Sequence, residues 1–190
     1  SNIRNYAKLS VAPMMDWTDR HCRYFHRTLS KNTLLYTEMV TSPALIKGNA
    51  THLLEFDKSE HPVALQLGGS DPIELAKAAG IGSKYGYDEI NLNVGCPSDR
   101  VQSGTFGAVL MKTPEVVAKC CKEMIDAVDT EVTVKCRVGV DQQNPDVTLP
   151  KFLEHISNAG VTRVIIHARK AILSGLSPKQ NRNVPPLNYE

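Results

Sequence analysis

The residues best placed for chemistry fall in and after one stretch, 90–111, where an apolar run ends in Gly95-Cys96-Pro97 and passes into a polar, glycine-bearing loop. Cys96 stands at the junction. Cys22, Cys120 and Cys121 sit on helical stripes and Cys136 on the apolar face of a strand, all four as core residues. A thiol at a strand end is a nucleophile, a metal ligand or a proton donor. With no second cysteine close by, metal ligation is disfavoured. A free thiol titrates near ~8.5 and is protonated at neutral pH, which suits a general acid. Downstream, Lys135, Arg137, His167 and Arg169 recur in two short apolar runs.

These side chains need strands to hold them. Apolar runs at 8–14, 33–40, 61–69, 88–97, 131–140 and 162–170 read as β-strands. Between them, Cys22, Phe25, His26 and Leu29 recur at helical spacing, 43–56 reads as short helical turns, and Asp71-Pro72 and Thr113-Pro114 open helices. A further helix covers 149–159, and 174–187 is loop. The alternation is the βαβ rhythm of a parallel sheet. An open doubly wound sheet and a (β/α)8 barrel both fit, and the absence of a G-x-G-x-x-G turn after the first strand weakens the former.

The strand faces favour the barrel. Side chains alternate along a strand. One face carries Val63, Leu65 and Leu67, then Ile90, Leu92 and Val94, then Val134, Cys136 and Val138, then Val164, Ile166 and Ala168. The other carries Ala64, Gln66 and Gly68, then Asn91, Asn93 and Gly95, then Thr133, Lys135 and Arg137, then Ile165, His167 and Arg169. In a barrel the second set converges at the C-terminal mouth, where barrel enzymes place their sites. Cations and amides without paired carboxylates disfavour glycosidase and metal-hydrolase chemistry. They suit an anionic cofactor rich in hydrogen-bond acceptors, such as a flavin.

Composition bounds the rest. The 190 residues are 42% hydrophobic and carry a net charge of +2, ordinary for a single soluble domain and too little to announce a nucleic-acid binder. No apolar run approaches the ~20 residues of a membrane span. Five cysteines, an odd number, suit a reducing cytoplasm over a disulfide framework. No acidic residue lies between Glu154 and Glu190, an interval holding Arg163, Arg169, Lys170, Lys179 and Arg182, so a local anionic partner is expected.

Several blocks resemble the tRNA-dihydrouridine synthases: VAPMMDWTDRHCRYF (11–25), TEMV (37–40), ALQLGGSDP (64–72), YDEINLNVGCPSDRVQSGTFGAVLM (87–111), VTVKCRVGVD (132–141), IIHARKA (165–171) and LSGLSPKQNRNVPPL (173–187). The first and last resemble the A-type bacterial subfamily in particular. The resemblance implies an FMN-containing (β/α)8 TIM barrel that reduces a uridine of the tRNA D-loop, at position 20 or 20a, with NADPH or NADH as co-substrate and no metal. Carried across, Pro13, Met14 and Met15 would line the flavin, Gln66 would bind its ring, and Lys135 and His167 would contact the ring or its ribityl phosphate. Asn93 and Cys96 would face the substrate base, with Cys96 giving a proton to C5 as hydride reaches C6. Lys179 and Arg182, with Arg169 beside them, would touch the tRNA.

The strand count departs from that pattern. Six runs are found where the barrel needs eight, so residues 1–190 are expected to be one catalytic barrel domain, incomplete at its C-terminal end, that binds FMN poorly alone. Two alternatives remain at this level: an FMN barrel reductase of the dihydroorotate-dehydrogenase type, and a non-catalytic tRNA-binding remnant.

Overall fold

The computed structural model describes residues 8–98 and 105–189, so most of the polar loop after Cys96 lies outside the described residues. One parallel, curled sheet runs in sequential order: β1 (Ser10–Val11), β2 (Leu34–Thr41), β3 (Val63–Gly68), β4 (Glu89–Val94), β5 (Glu131–Arg137) and β6 (Val164–His167). A doubly wound sheet reverses its strand order part-way. Here every neighbour is the next strand in sequence, which is the order of a (β/α)8 barrel. The six strands match the expectation of a barrel truncated after about six βα units. The outermost strands are shorter than their apolar runs. Among the described residues β1 pairs only with β2, at Ser10 and Val11, and β6 pairs only with β5, so neither run is held along its full length.

The covering helices are α1 (Arg20–Leu29), α2 (Ser42–Ile46), α3 (Pro72–Tyr85), α4 (Pro114–Ala127) and α5 (Pro145–Asn158). Asp71 caps α3 by accepting from the Glu74 N–H, Pro72 fills the first turn, and Gly86 ends the helix with φ of 92°. α5 starts one turn ahead of the expected 149. Asn144 caps it by accepting from the Asp146 N–H, and the helix then runs through Pro150. Pro150 looks like a first-turn proline in sequence, but the Asn144-Pro145 pair supplies a better start.

The core lies between the outer sheet face and α3, α4 and α5. Leu65, Leu67, Ile90, Leu92, Val94, Val134 and Cys136 meet Leu75, Ala78, Val117, Cys120, Cys121, Met124, Phe152 and Ile156, all buried. Each large side chain so buried contributes about 1.5–3 kcal/mol before conformational entropy is set against it. Gly82 makes the close approach of α3 possible, since a Cβ there would stand 2.4 Å from Leu65 Cδ2.

α1 departs from its expected packing. The stripe of Phe25 and Leu29 is 60% and 69% exposed, and Cys22 is only half-buried. The buried side chain is Arg23, which pairs with buried Glu60 and donates to the Thr18 carbonyl at 2.9 Å. Arg27 donates to the carbonyls of Ser30, Thr33, Glu60 and Pro62. Two arginines, not an apolar stripe, dock this helix. Among the described residues, no helix is long and apolar enough to cross a membrane.

Candidate active site

The inner sheet face is built in rows. Gln66 aligns with Asn91, and Asn91 with Thr133. One step nearer the C-terminal mouth, Asn93 aligns with Lys135 and Lys135 with Ile165. One step further, Arg137 aligns with His167. The alternation expected from sequence therefore holds, and polarity turns cationic toward the mouth. Gln66, Asn91 and Thr133 are buried, and each has partners. Gln66 Nε2 donates to Asn91 Oδ1 at 2.8 Å, and Asn91 Nδ2 donates to Thr133 Oγ1 at 2.8 Å.

Asn93 joins this layer to the cysteine turn. Its Nδ2 donates to Gln66 Oε1 at 2.8 Å, and its Oδ1 accepts from the backbone N–H of Gly95 at 3.0 Å and of Cys96 at 2.9 Å. Arg137 Nε holds the Gly95 carbonyl at 3.1 Å, and the Ala108 N–H donates to the Cys96 carbonyl at 2.9 Å. The turn is thus gripped on three sides, with the half-buried Cys96 thiol 3.6 Å from Ser98 Oγ. All five cysteines are free. Burial pushes Cys120, Cys121 and Cys136 up to about 12, and burial with the charge of Asp19 raises Cys22. Those thiols are inert, and Cys22, though less buried than expected, carries no activated thiolate.

The cations of the rim repel one another. Burial and then Arg137 lower Lys135. Burial, with Arg182 and Arg169 adding to it, brings Arg137 down to about 10. Burial and then Arg137, Lys135, Arg169 and Arg182 push His167 down to about 4. So many cations facing one another call for an anion. The sign for His167 follows from linkage. Between about pH 4 and its ordinary 6.5, the unfolded chain holds a proton that the fold does not, so stability rises with pH across that window and is fully present above it. A dianion bound against His167 would restore the proton, so its affinity is expected to rise as pH falls through the same window. Calorimetric titration with sulfate, doubly charged throughout, is expected to tighten several-fold from pH 7 to pH 5, and His167→Gln to flatten that slope.

The tail read as loop is anchored at a buried asparagine and propped by an arginine. Asn181 is fully buried; its Nδ2 donates to the carbonyls of Ile172, Leu176 and Ser177, and its Oδ1 accepts from the Ile172 N–H. Its own carbonyl accepts from Arg137 Nη1 at 2.9 Å. Lys179 and Arg182 flank it and are exposed. Arg169 is half-buried, its guanidinium donating to the Pro185 carbonyl, so it props the tail. Pro13, Met14 and Met15 form the loop after β1. Met14 exchanges hydrogen bonds with the Thr18 hydroxyl, and the Asp16 N–H donates to Glu38 Oε1 on β2.

The fold thus brings together Gln66, Asn93, Cys96, Lys135, His167, Arg169 and Arg182, while Lys179 is exposed on the tail. Sequence reading placed Arg137 in the polar set without a role, and it passed over Glu89. Glu89 is fully buried at the inner floor, in phase with Asn91 and Asn93, and that phase was its available signal. Among the described residues no cluster of three or more His, Cys, Asp or Glu could hold a metal ion. A cavity of about 510 Å³ behind the tail, lined by Val138, Asp141, Lys170, Leu176 and Val184, contains none of the site residues.

The family model for dihydrouridine synthase matches residues 10–190. Among curated relatives, the tRNA-dihydrouridine(20/20a) synthase of Synechocystis is 60% identical over 182 residues, covering 96% of this chain and 54% of its own length. The protein of that name from Xanthomonas axonopodis is 57% identical over 183 residues, 96% of this chain and 55% of the relative. That of Escherichia coli is 60% identical over 183 residues, 96% and 53%. The chain spans about half the length of the curated relatives it matches. Because the matched residues run from β1 through β6 and include the Cys96 turn with its cationic rim, the chain belongs to the dihydrouridine synthase family.

Proposed function

We propose that the protein carrying this chain reduces a uridine of the tRNA D-loop, at position 20 or 20a, to 5,6-dihydrouridine, with FMN as cofactor and NADPH or NADH as reductant. The observation that carries the reading is the seating of a lone mouth thiol, Cys96, by Asn93 and Gln66 beneath a rim of cations. The named activity of the relatives supports it. The free state of all five cysteines supports a cytoplasmic setting.

The donor set fits FMN. Gln66 and Asn93 offer amide hydrogen bonds of the kind a flavin's pyrimidine edge needs, and Lys135 and His167, whose charged forms are disfavoured by burial and by the neighbouring cations, fit a phosphate. These residues, with the loop of Pro13, Met14 and Met15, would hold the group, which supplies hydride chemistry when bound. The chain's own residues do the rest. Cys96 gives its proton to C5 of the uracil as C6 becomes saturated. Asn93 fixes the turn that aims the thiol and faces the base. A base stacked inside folded RNA cannot reach a barrel mouth, so the uridine is flipped out. Lys179 and Arg182, on a tail fixed by Asn181, grip the phosphates that hold it there.

The test is dihydrouridine content in tRNA from a strain lacking the gene, with and without the full reading frame restored. Recovery at position 20 or 20a is expected, and absence of recovery overturns the reading. The tail's part is read separately. Lys179→Ala and Arg182→Ala should each weaken tRNA binding and reduce the slope of log K against log salt by about 0.7–0.9. An unchanged slope would remove them from the phosphate contacts.

A further inference from the structure

The inner face holds an unbroken chain of side-chain hydrogen bonds from the floor to the thiol turn. At the floor, Glu89 is paired with Arg163, and its other oxygen accepts from the Tyr36 hydroxyl at 2.7 Å and from the Thr133 hydroxyl. Thr133 Oγ1 accepts from Asn91 Nδ2, Asn91 Oδ1 from Gln66 Nε2, and Gln66 Oε1 from Asn93 Nδ2, each at 2.8 Å. Asn93 Oδ1 then accepts the two backbone N–H groups of Gly95 and Cys96.

Both ends dictate the same sense. A carboxylate only accepts, so Thr133 must donate downward, and Asn91 must then present its NH2 to Thr133. At the top, two backbone N–H groups only donate, so Asn93 must present its oxygen to them and its NH2 to Gln66. The two demands meet at Gln66 without conflict. An amide flipped anywhere in the chain would set donor against donor or oxygen against oxygen in a buried layer, where an unmatched polar group is costly.

We propose that Glu89 is a positioning residue: through Thr133 and Asn91 it fixes which way the Gln66 and Asn93 amides face, and thereby the seat of the Cys96 turn. For its effect on turnover this rests on the function proposed above, but the ladder itself does not. Glu89 touches none of the reacting groups. It acts as the lower of two fixed termini, the other being the Gly95 and Cys96 N–H groups, which together leave each amide one orientation.

Thr133→Val keeps the shape of the side chain and removes only the relay hydroxyl. In the full-length protein, exchange of the Asn91 and Gln66 side-chain NH2 protons, followed by ¹⁵N NMR, should quicken by about tenfold, while the backbone amides of β4 and β5 keep their protection. Glu89→Gln should do more. Arg163 will hold the oxygen of the new amide, turning its NH2 on Thr133. Thr133 then loses its acceptor at the floor, its hydroxyl hydrogen is turned toward Asn91 and competes with the Asn91 NH2, and exchange at Gln66 and Asn93 is expected to quicken and uridine turnover to fall beyond the Thr133→Val effect. Adding Thr133→Val to Glu89→Gln removes the competing hydroxyl hydrogen, so the double variant should turn over faster than Glu89→Gln alone. Such a rescue is not expected of two residues that merely stabilise the sheet. Unchanged exchange in Thr133→Val, or losses that simply add in the double variant, overturns the proposal. If Glu89→Gln does not fold, exchange in Thr133→Val decides alone. If the protein shows no uridine reduction, the exchange measurements still judge the ladder, and only the proposed function fails.

Discussion

Under the function proposed above, Cys96→Ala in the full-length protein is expected to lower uridine reduction by about 10²–10⁴-fold while nicotinamide oxidation in the absence of RNA stays near its normal rate. The split follows from where the thiol stands. Its turn is fixed by Asn93, Arg137 and Ala108 through backbone groups, none of which alanine removes. The substitution deletes the proton and leaves the seat. Cys136 lies on the neighbouring strand but faces the core, with burial holding it near 12, so it cannot stand in. Stopped-flow measurement of the two half-reactions checks this, and equal loss in both would end the proton-donor role. A Cys96→Ser variant, with a far weaker acid in the same place, should recover little.

Glu60→Ala is expected to cost about 3–5 kcal/mol of folding stability, the range for removing one partner of a buried ion pair. Arg23 is only 5% exposed and would be left with the Thr18 carbonyl alone. Glu60 also accepts from the Asp57 N–H at 3.0 Å, closing the capping box of the turn before β3, so the variant loses that restraint as well. Against a total of roughly 5–15 kcal/mol for an ordinary domain, this is a large share. Replacing Arg23 and Glu60 together with methionine should recover most of the loss, because no charge is then stranded. Urea denaturation of the full-length variants reads both. A loss under about 1 kcal/mol for Glu60→Ala would mean that the pair is effectively solvated.

The same ion pair shows where sequence reading stops. On β3, β4 and β5 the side-chain period of two separates core from mouth without outside information, so Gln66, Asn93 and Lys135 were legible as one surface. Helical spacing in α1 offered an apolar stripe, but which stripe is buried depends on Glu60 and the Pro62 carbonyl, far along the chain. Asn181 was illegible for a related reason: its partners are backbone groups, which carry no sequence signature. Glu89 followed the right period, yet a carboxylate at the start of a strand reads as solvent-facing until Arg163 and Tyr36 are seen beside it. That β1 and β6 pair on one side among the described residues follows from the count of six strands, but how far each is shortened is encoded in no local pattern.

The junction of Arg137 with the tail has a use in engineering. One guanidinium bonds the Gly95 carbonyl beside the cysteine turn and the Asn181 carbonyl in the tail. Asn181 is therefore a fixed mounting point, and the exposed positions around it, Lys179, Gln180, Arg182 and Asn183, are the interchangeable part. A graft that swaps those surface residues for others while keeping Asn181 and Arg137 should, if the proposed phosphate contacts hold, retarget the tail without moving the Cys96 turn, as a tool head is changed on an unchanged spindle.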